Sequence, residues 1–247
     1  MTHSADWQQL KQDKHQIWAR SDVAKNISPA WFDAVFWQQQ NAIVGESKGR
    51  YTTYFVEYKT AEDSKVKMVL RHYYRGGLIS KLSRDRFIFR SYQSTRAFAE
   101  LTMLQKMREL NLPVPKPVAA MVTKVGLFKC VNDILIELIP NARDGFQYLL
   151  QQSLSEQQWF AIGETIQQFH QQGVYHSDLN IHNIMLDQQG KVWLIDFDRC
   201  EFRTSAQDWQ QANLSRLKRS LEKEKTINPE FHFNESYWQQ LMAGYDS

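Results

Sequence analysis

The stretch from His170 to Arg199, HQQGVYHSDLNIHNIMLDQQGKVWLIDFDR, constrains this chain more than any other. NIMLD and KVWLID read as two short strands, and Asp187-Gln188-Gln189-Gly190 reads as the turn between them. Such a hairpin fixes the distance between the loop before it, HSDLNIHN, and the loop after it, IDFD. Asp178 lies in the first loop and is suited to take a proton from an incoming hydroxyl. Asn183 offers a neutral carbonyl oxygen and Asp196 a carboxylate. Hard oxygen ligands at both ends of one hairpin suit Mg²⁺, which takes few protein ligands and completes its shell with phosphates and water. A base beside a pair of magnesium ligands is what phosphoryl transfer from ATP requires, because that chemistry asks for positioning and charge neutralisation.

The pattern resembles the protein-kinase catalytic loop, H-R-D-L-x-x-x-N followed by D-F-G. Asp178 and Asn183 keep that spacing, and His176 holds the first position. His176 is read as support for the loop rather than as a proton carrier. Ser177 replaces Arg, and Asp198 replaces Gly. Asp198 is open to two roles, a second metal ligand or a partner for Arg199.

The chain upstream supplies the other parts expected of such a fold. AIVGESKGRYTTYFVEYK reads as two strands, with Gly45 and Gly49 punctuating the turn; glycines there would let backbone N–H groups cover phosphates. KVKMVLRHYYRGG carries Arg71 where kinase-like folds carry a phosphate-holding Lys. Lys67 shares its face by alternation and is the other choice. A helix with Phe98, Leu101, Leu104, Met107 and Leu110 at three- and four-residue steps carries Glu100, the expected partner of that cation. The prolines at 113, 115 and 117 end it. Glu137 to Pro140 reads as the connection to a second lobe, where backbone groups would meet adenine. MVTKVGLFKC and DILIELIP each read as a strand. Residues 1 to 28 read as polar and irregular, and Ser28-Pro29 as the start of a helix AWFDAVFWQQQ. That helix either packs on the sheet or docks a lipid or partner; buried aromatics favour packing. Downstream, helices are expected over ARDGFQYLLQQ, over SEQQWFAIGETIQQFHQQG with Ser155 as cap, over QDWQQANLSRLKRSLEK and over ESYWQQLMAGY.

Composition narrows the class. A net charge of +3 does not call for a nucleic acid partner. The basic residues Arg71, Arg75, Lys81, Arg84, Arg86, Arg90 and Arg96 cluster, opposed by Asp85. Such a run is either a solvated face or a shaped anion site. Cys130 and Cys200 show no metal-ligand spacing, and a reducing compartment fits. No apolar run approaches the roughly 18 residues of a spanning helix, and the polar N-terminus does not read as a signal peptide.

The segments VLRHYYRGGL, LPVPKPVAA, GVYHSDLNIHNIMLD, VWLIDFDR and NLSRLKRS, in that order, resemble the 3-deoxy-D-manno-octulosonic acid (Kdo) kinase family. The resemblance covers most of residues 44 to 220. It implies an α+β, two-lobed protein-kinase-like fold: an N-terminal antiparallel-sheet lobe over 1–139 and a short, mainly helical C-terminal lobe over 140–247. It implies ATP as donor, Mg²⁺ as metal, and the 4-hydroxyl of Kdo on a lipid A precursor as acceptor. The place of work implied is the cytoplasmic face of the inner membrane, as a peripheral protein. Asp178 would serve as base with His176 beside it, and Asn183 and Asp196 would hold metal. Arg71, Glu100, Glu137, Gly45 and Gly49 would serve the nucleotide. The absence of an A-P-E segment after Asp198 speaks against a protein substrate. The alternatives are a kinase for a core heptose or an aminoglycoside-like molecule, and a kinase-like scaffold without activity. The presence together of Asp178, Asn183 and Asp196 opposes the last.

Overall fold

The computed structural model describes residues 7–48, 52–60, 64–75 and 85–247. The chain divides into two compact units, residues 1–105 with 116–138, and residues 106–115 with 139–247. The division differs from a cut at 139 because the chain from Lys106 to Pro115 groups with the second unit. There the Leu194 N–H donates to the Pro113 carbonyl at 3.1 Å.

The first unit is built on an antiparallel sheet. Its strands are β1 (Trp7–Gln12), β2 (His15–Arg20), β3 (Ile43–Lys48), β4 (Thr52–Lys59), β5 (Lys65–His72), β6 (Phe87–Ile88), β7 (Pro117–Val125) and β8 (Lys129–Glu137). Their order is β1-β2-β7-β8-β5-β4-β3, with β6 also on β8. The helices are α1 (Ser21–Ala24), α2 (Ala34–Gln39) and α3 (Arg96–Glu109). One sheet face buries Ile17, Ala19, Val56, Met68, Leu70, Ala119 and Leu135 against Trp31, Phe32 and Trp37. Alternation along β5 then sends Arg71 to the other face, where α3 carries Glu100.

Four local expectations need correction. Residues 7–20 form the β1–β2 hairpin instead of irregular chain, turning at Asp13 with φ 51°. The alternation was hidden because β2 is buried on successive residues, Gln16 to Ala19. The helix expected from Ser28 is a 3₁₀ turn (Pro29–Phe32) followed by α2, because Asp33 leaves helical geometry and its carboxylate caps the Val35 N–H at 2.9 Å. MVTKVGLFKC is not one strand: Gly126, with φ 71°, turns β7 into β8, and the apolar Leu127 and Phe128 sit exposed at the tip. Gly45 lies within β3 at a register shift, packed on Phe55, and not in the turn. Gly49 lies outside the described residues.

α3 ends at Asn111 in the left-handed region (φ 59°), two residues before the first proline. Its first turn receives Asn132 of β8, whose side-chain oxygen accepts from the Ala97 N–H at 3.3 Å.

The second unit is mainly helical. It contains α4 (Gly145–Gln151), α5 (Glu156–Gln171), α6 (Gln207–Ile227) and α7 (Glu235–Tyr245). Short strands β9 (Arg143–Asp144), β10 (Val174–Tyr175), β11 (Ile184–Leu186), β12 (Val192–Leu194) and β13 (Glu201–Phe202) connect them. Ser155 and Gln158 make a reciprocal capping box at the start of α5. β11 and β12 form the expected hairpin, and Asp187 accepts from the N–H groups of Gln189 and Lys191 inside its turn.

α5 and α7 touch backbone to backbone. A Cβ at Gly163 would lie 1.9 Å from the Leu241 carbonyl oxygen, and one at Gly244 would lie 2.0 Å from that of Phe160. Gly244→Ala must therefore push two helices apart, at a cost of roughly 1–3 kcal/mol or more. Thermal melts should show a fall of about 5 °C or more. Gly126→Ala meets no atom within 4 Å and should cost only the left-handed backbone penalty, about 1 kcal/mol. Equal losses for the two would contradict the close contact.

Candidate active site

The second unit carries the loop and hairpin, and the loop is arranged around His176. Its side chain is 2% exposed. Nε2 donates to the Ile195 carbonyl at 3.0 Å, and Nδ1 accepts from the Asp178 N–H at 3.2 Å. One ring thus ties the Asp178 backbone to the residue before Asp196. Burial, outweighing the Ile195 bond, holds its pKa below the ordinary value, so the ring is neutral with its proton on Nε2. It stacks obliquely on Phe197, 5.0 Å between centroids, and Phe197 lies parallel to Phe169 of α5 at 5.9 Å.

Asn183 is buried at the head of β11. Its Nδ2 donates to the Asp178 carbonyl at 2.9 Å, which leaves Oδ1 as the atom able to meet a cation. Its own carbonyl accepts from the Ile195 N–H at 3.1 Å. The hairpin register therefore sets Asn183 beside Ile195, one residue before Asp196. Asp196 is left-handed, φ 62°. A non-glycine residue in that region carries a cost of about 1 kcal/mol or more and marks a position fixed by its surroundings.

The two departures from the kinase pattern have local reasons. Ser177, where Arg was expected, closes the two loops on each other. Its Oγ donates to the Asp198 carbonyl at 2.8 Å, and its N–H donates to Cys200 Sγ at 3.2 Å. Asp198 needs no glycine, since the left-handed residues of this turn are Asp196 and Arg199.

Sequence reasoning missed the part played by α6. One stripe of that helix bonds the whole catalytic loop. Asn213 accepts from the His176 N–H (3.2 Å) and donates to its carbonyl (2.9 Å). Arg216 Nη1 donates to Asp178 Oδ1 at 3.2 Å. Ser220 Oγ accepts from the Ile181 N–H at 3.1 Å, and Glu224 meets His182 at 3.3 Å. Polar residues at steps of three and four were the available signal, overshadowed by the apolar stripe Trp209, Leu214, Leu217 and Leu221.

In the first unit, Arg71 of β5 pairs with Glu100 of α3, and the Tyr73 hydroxyl donates to the same carboxylate oxygen. Glu100 is 3% exposed, so its charge depends on these partners. Burial, then the Glu100 charge, drives the Tyr73 pKa well above the ordinary phenol value. Lys67, the other choice, is exposed on the same strand. The basic run is partly internal: Arg96 lies over the rings of Tyr73 and Phe87 at 5.4 and 4.9 Å, and Arg75 lies over Phe87 at 5.4 Å. Lys81 and Arg84 lie outside the described residues.

Glu137 ends β8. Its side chain is held by Arg20 at 2.7 Å and Lys116 at 3.5 Å, and its N–H donates to the Lys116 carbonyl. A strand-end carboxylate gave no sign of partners so distant in sequence.

A second buried histidine tests the electrostatics. His170 of α5 meets Tyr245 (2.8 Å) and Asn213 (3.4 Å), and burial lowers its pKa to about 4. Both depressed histidines contribute stability that is complete above about pH 6.5, their unfolded value, and is lost as pH falls toward the folded value. For His170 the loss approaches about 3 kcal/mol near pH 4. Urea titrations at pH 7 and pH 4.5 should show a smaller acid loss in His170→Asn than in the parent. An identical acid loss would contradict the neutral buried ring.

Comparison with known proteins identifies the family. The model of the lipopolysaccharide kinase (Kdo/WaaP) family matches residues 34–245. A 3-deoxy-D-manno-octulosonic acid kinase of Haemophilus influenzae (strain PittEE) is 44% identical over 242 residues, covering 96% of this chain and 99% of the relative. The enzyme of the same name from Photobacterium damsela subsp. piscicida is 46% identical over 210 residues, 85% of either chain. That from Vibrio vulnificus (strain YJ016) is 44% identical over 218 residues, 88% of this chain and 89% of the relative. Among solved structures, WaaP in complex with acyl carrier protein superposes with a TM-score of 0.51 at 13% identity, covering 87% of this chain and 81% of that one. That likeness carries the fold. The family match and the near-full-length relatives settle membership: this chain belongs to the lipopolysaccharide kinase (Kdo/WaaP) family.

Proposed function

We propose that the protein transfers the γ-phosphoryl group of ATP to the 4-hydroxyl of Kdo on a lipid A precursor. The reading rests on the relatives' activity and, above all, on the trio Asp178, Asn183 and Asp196 held by His176 and one hairpin.

Asp178 is exposed and carries its carboxylate on a loop pinned from both sides. It orients the acceptor hydroxyl and takes its proton as the bond to phosphorus forms. Asn183 and Asp196 fit a magnesium ion, because Oδ1 of the amide and a carboxylate are the hard oxygens it prefers. Bound there, Mg²⁺ would neutralise phosphate charge. In the first unit, Arg71 is fixed by a buried carboxylate and gives a permanent cation for the phosphates. Pairing with Glu100 removes the need to order a long side chain when nucleotide binds.

The acceptor is an anionic glycolipid. No helix among the described residues is long and apolar enough to cross a membrane. We place the enzyme on the cytoplasmic surface of the inner membrane, where exposed basic side chains such as Arg86 and Arg90 would favour anionic headgroups.

The direct test incubates the protein with ATP, Mg²⁺ and a Kdo-containing lipid A precursor, and locates phosphate by mass spectrometry. One phosphate on the 4-hydroxyl is expected; an unmodified acceptor would overturn the reading. Asp178→Ala should lower kcat by roughly 10²–10⁴-fold while ATP still binds. Turnover at the parent rate would remove Asp178 as base. Arg71→Ala should raise the KM for ATP by roughly 10- to 100-fold, the loss of a charged hydrogen-bond pair, and Lys67→Ala should leave it unchanged. The reverse pattern would assign the phosphates to Lys67.

A further inference from the structure

Arg216 does more than its ion pair explains. It lies on the α6 stripe that holds the catalytic loop, with Nη1 3.2 Å from Asp178 Oδ1. Both side chains are about half exposed, 47% for Arg216 and 59% for Asp178. An ion pair so exposed adds little stability, and Asn213 and Ser220 already anchor the loop. Among the described residues, that single contact is the only hydrogen bond the Arg216 side chain makes. About half of the Arg216 side chain is open to solvent beside Asp178. A planar fork of N–H donors is the group best shaped to grip a carboxylate with two bonds.

We propose that Arg216 forms the acid-recognition subsite of the acceptor, binding the carboxylate of the sugar acid whose hydroxyl sits on Asp178. The inference rests on the acceptor reading above. The chemistry of a 3-deoxy-2-ulosonic acid supports it. Its carboxylate is borne on C2 and the reacting hydroxyl on C4, with only the deoxy carbon between them. A cation meant for that carboxylate must stand next to the base, which is where Arg216 stands. The Asp178 contact keeps the guanidinium in place when the site is empty. Neutral sugars carrying a similar hydroxyl lack the group that would engage Arg216 and are selected against.

The test compares two acceptors, the Kdo-lipid precursor and its carboxyl-amidated form, across the parent, Arg216→Ala and Arg216→Lys. In the parent, amidation should raise the acceptor KM by roughly 10- to 100-fold. Arg216→Ala should raise the KM for the acid by a similar factor, erase the preference for acid over amide, and leave the KM for ATP and the thermal melt unchanged. Arg216→Lys should recover part of the preference, since it keeps charge but loses the fork. If Arg216→Ala lowers kcat equally for both acceptors and keeps the acid preference, Arg216 only positions Asp178 and the subsite is overturned. If the parent phosphorylates neither form, the acceptor reading fails and takes the subsite with it.

Discussion

The loop from His176 to Asn183 and the turn at Asp196 are tied together by one buried imidazole. His176 uses one nitrogen to hold the backbone of Asp178 and the other to hold the carbonyl before Asp196. Asp178 and Asp196 come from separate loops. The ring is the shared post. Its neutral state matters, because an imidazolium would lose the acceptor that receives the Asp178 N–H. Burial against Phe197 keeps it neutral, so apolar packing and catalytic geometry are the same fact seen twice.

Around that post the chain adds α6, which bonds successive parts of the loop through Asn213, Arg216, Ser220 and Glu224. A helix is a rigid ruler, so residues spaced three and four apart meet a loop at fixed intervals. The first unit follows the same logic with fewer parts: a buried glutamate has no reason to exist there without Arg71 and Tyr73 to satisfy it.

Much of this was legible in the residues. The turn Asp187–Gly190 and the apolar runs beside it named the β11–β12 hairpin, and the HxDxxxxN spacing named the loop that His176 pins. The Arg71–Glu100 pairing was readable only through the family pattern, since an isolated helix glutamate carries no address. The N-terminal hairpin escaped because β2 is buried on consecutive residues and loses the alternation that marks a strand. The broken helix at Asp33 and the β7–β8 turn at Gly126 escaped because one side-chain cap and one left-handed glycine outweighed apolar runs around them. Glu137 and the α6 stripe escaped for a common reason: their partners, Arg20 and the loop at 176–182, lie far away in sequence. Long-range polar pairs leave little local trace.

The central claim is the neutral, doubly bonded state of His176, and ring-nitrogen NMR reads it directly. In protein labelled with ¹⁵N at histidine, the account predicts that at pH 7 the His176 ring shows a protonated Nε2 and an unprotonated Nδ1. It predicts that this single tautomer persists through pH 6.5. A ring that titrates to imidazolium near pH 6.5, or that exchanges between tautomers at pH 7, would contradict it.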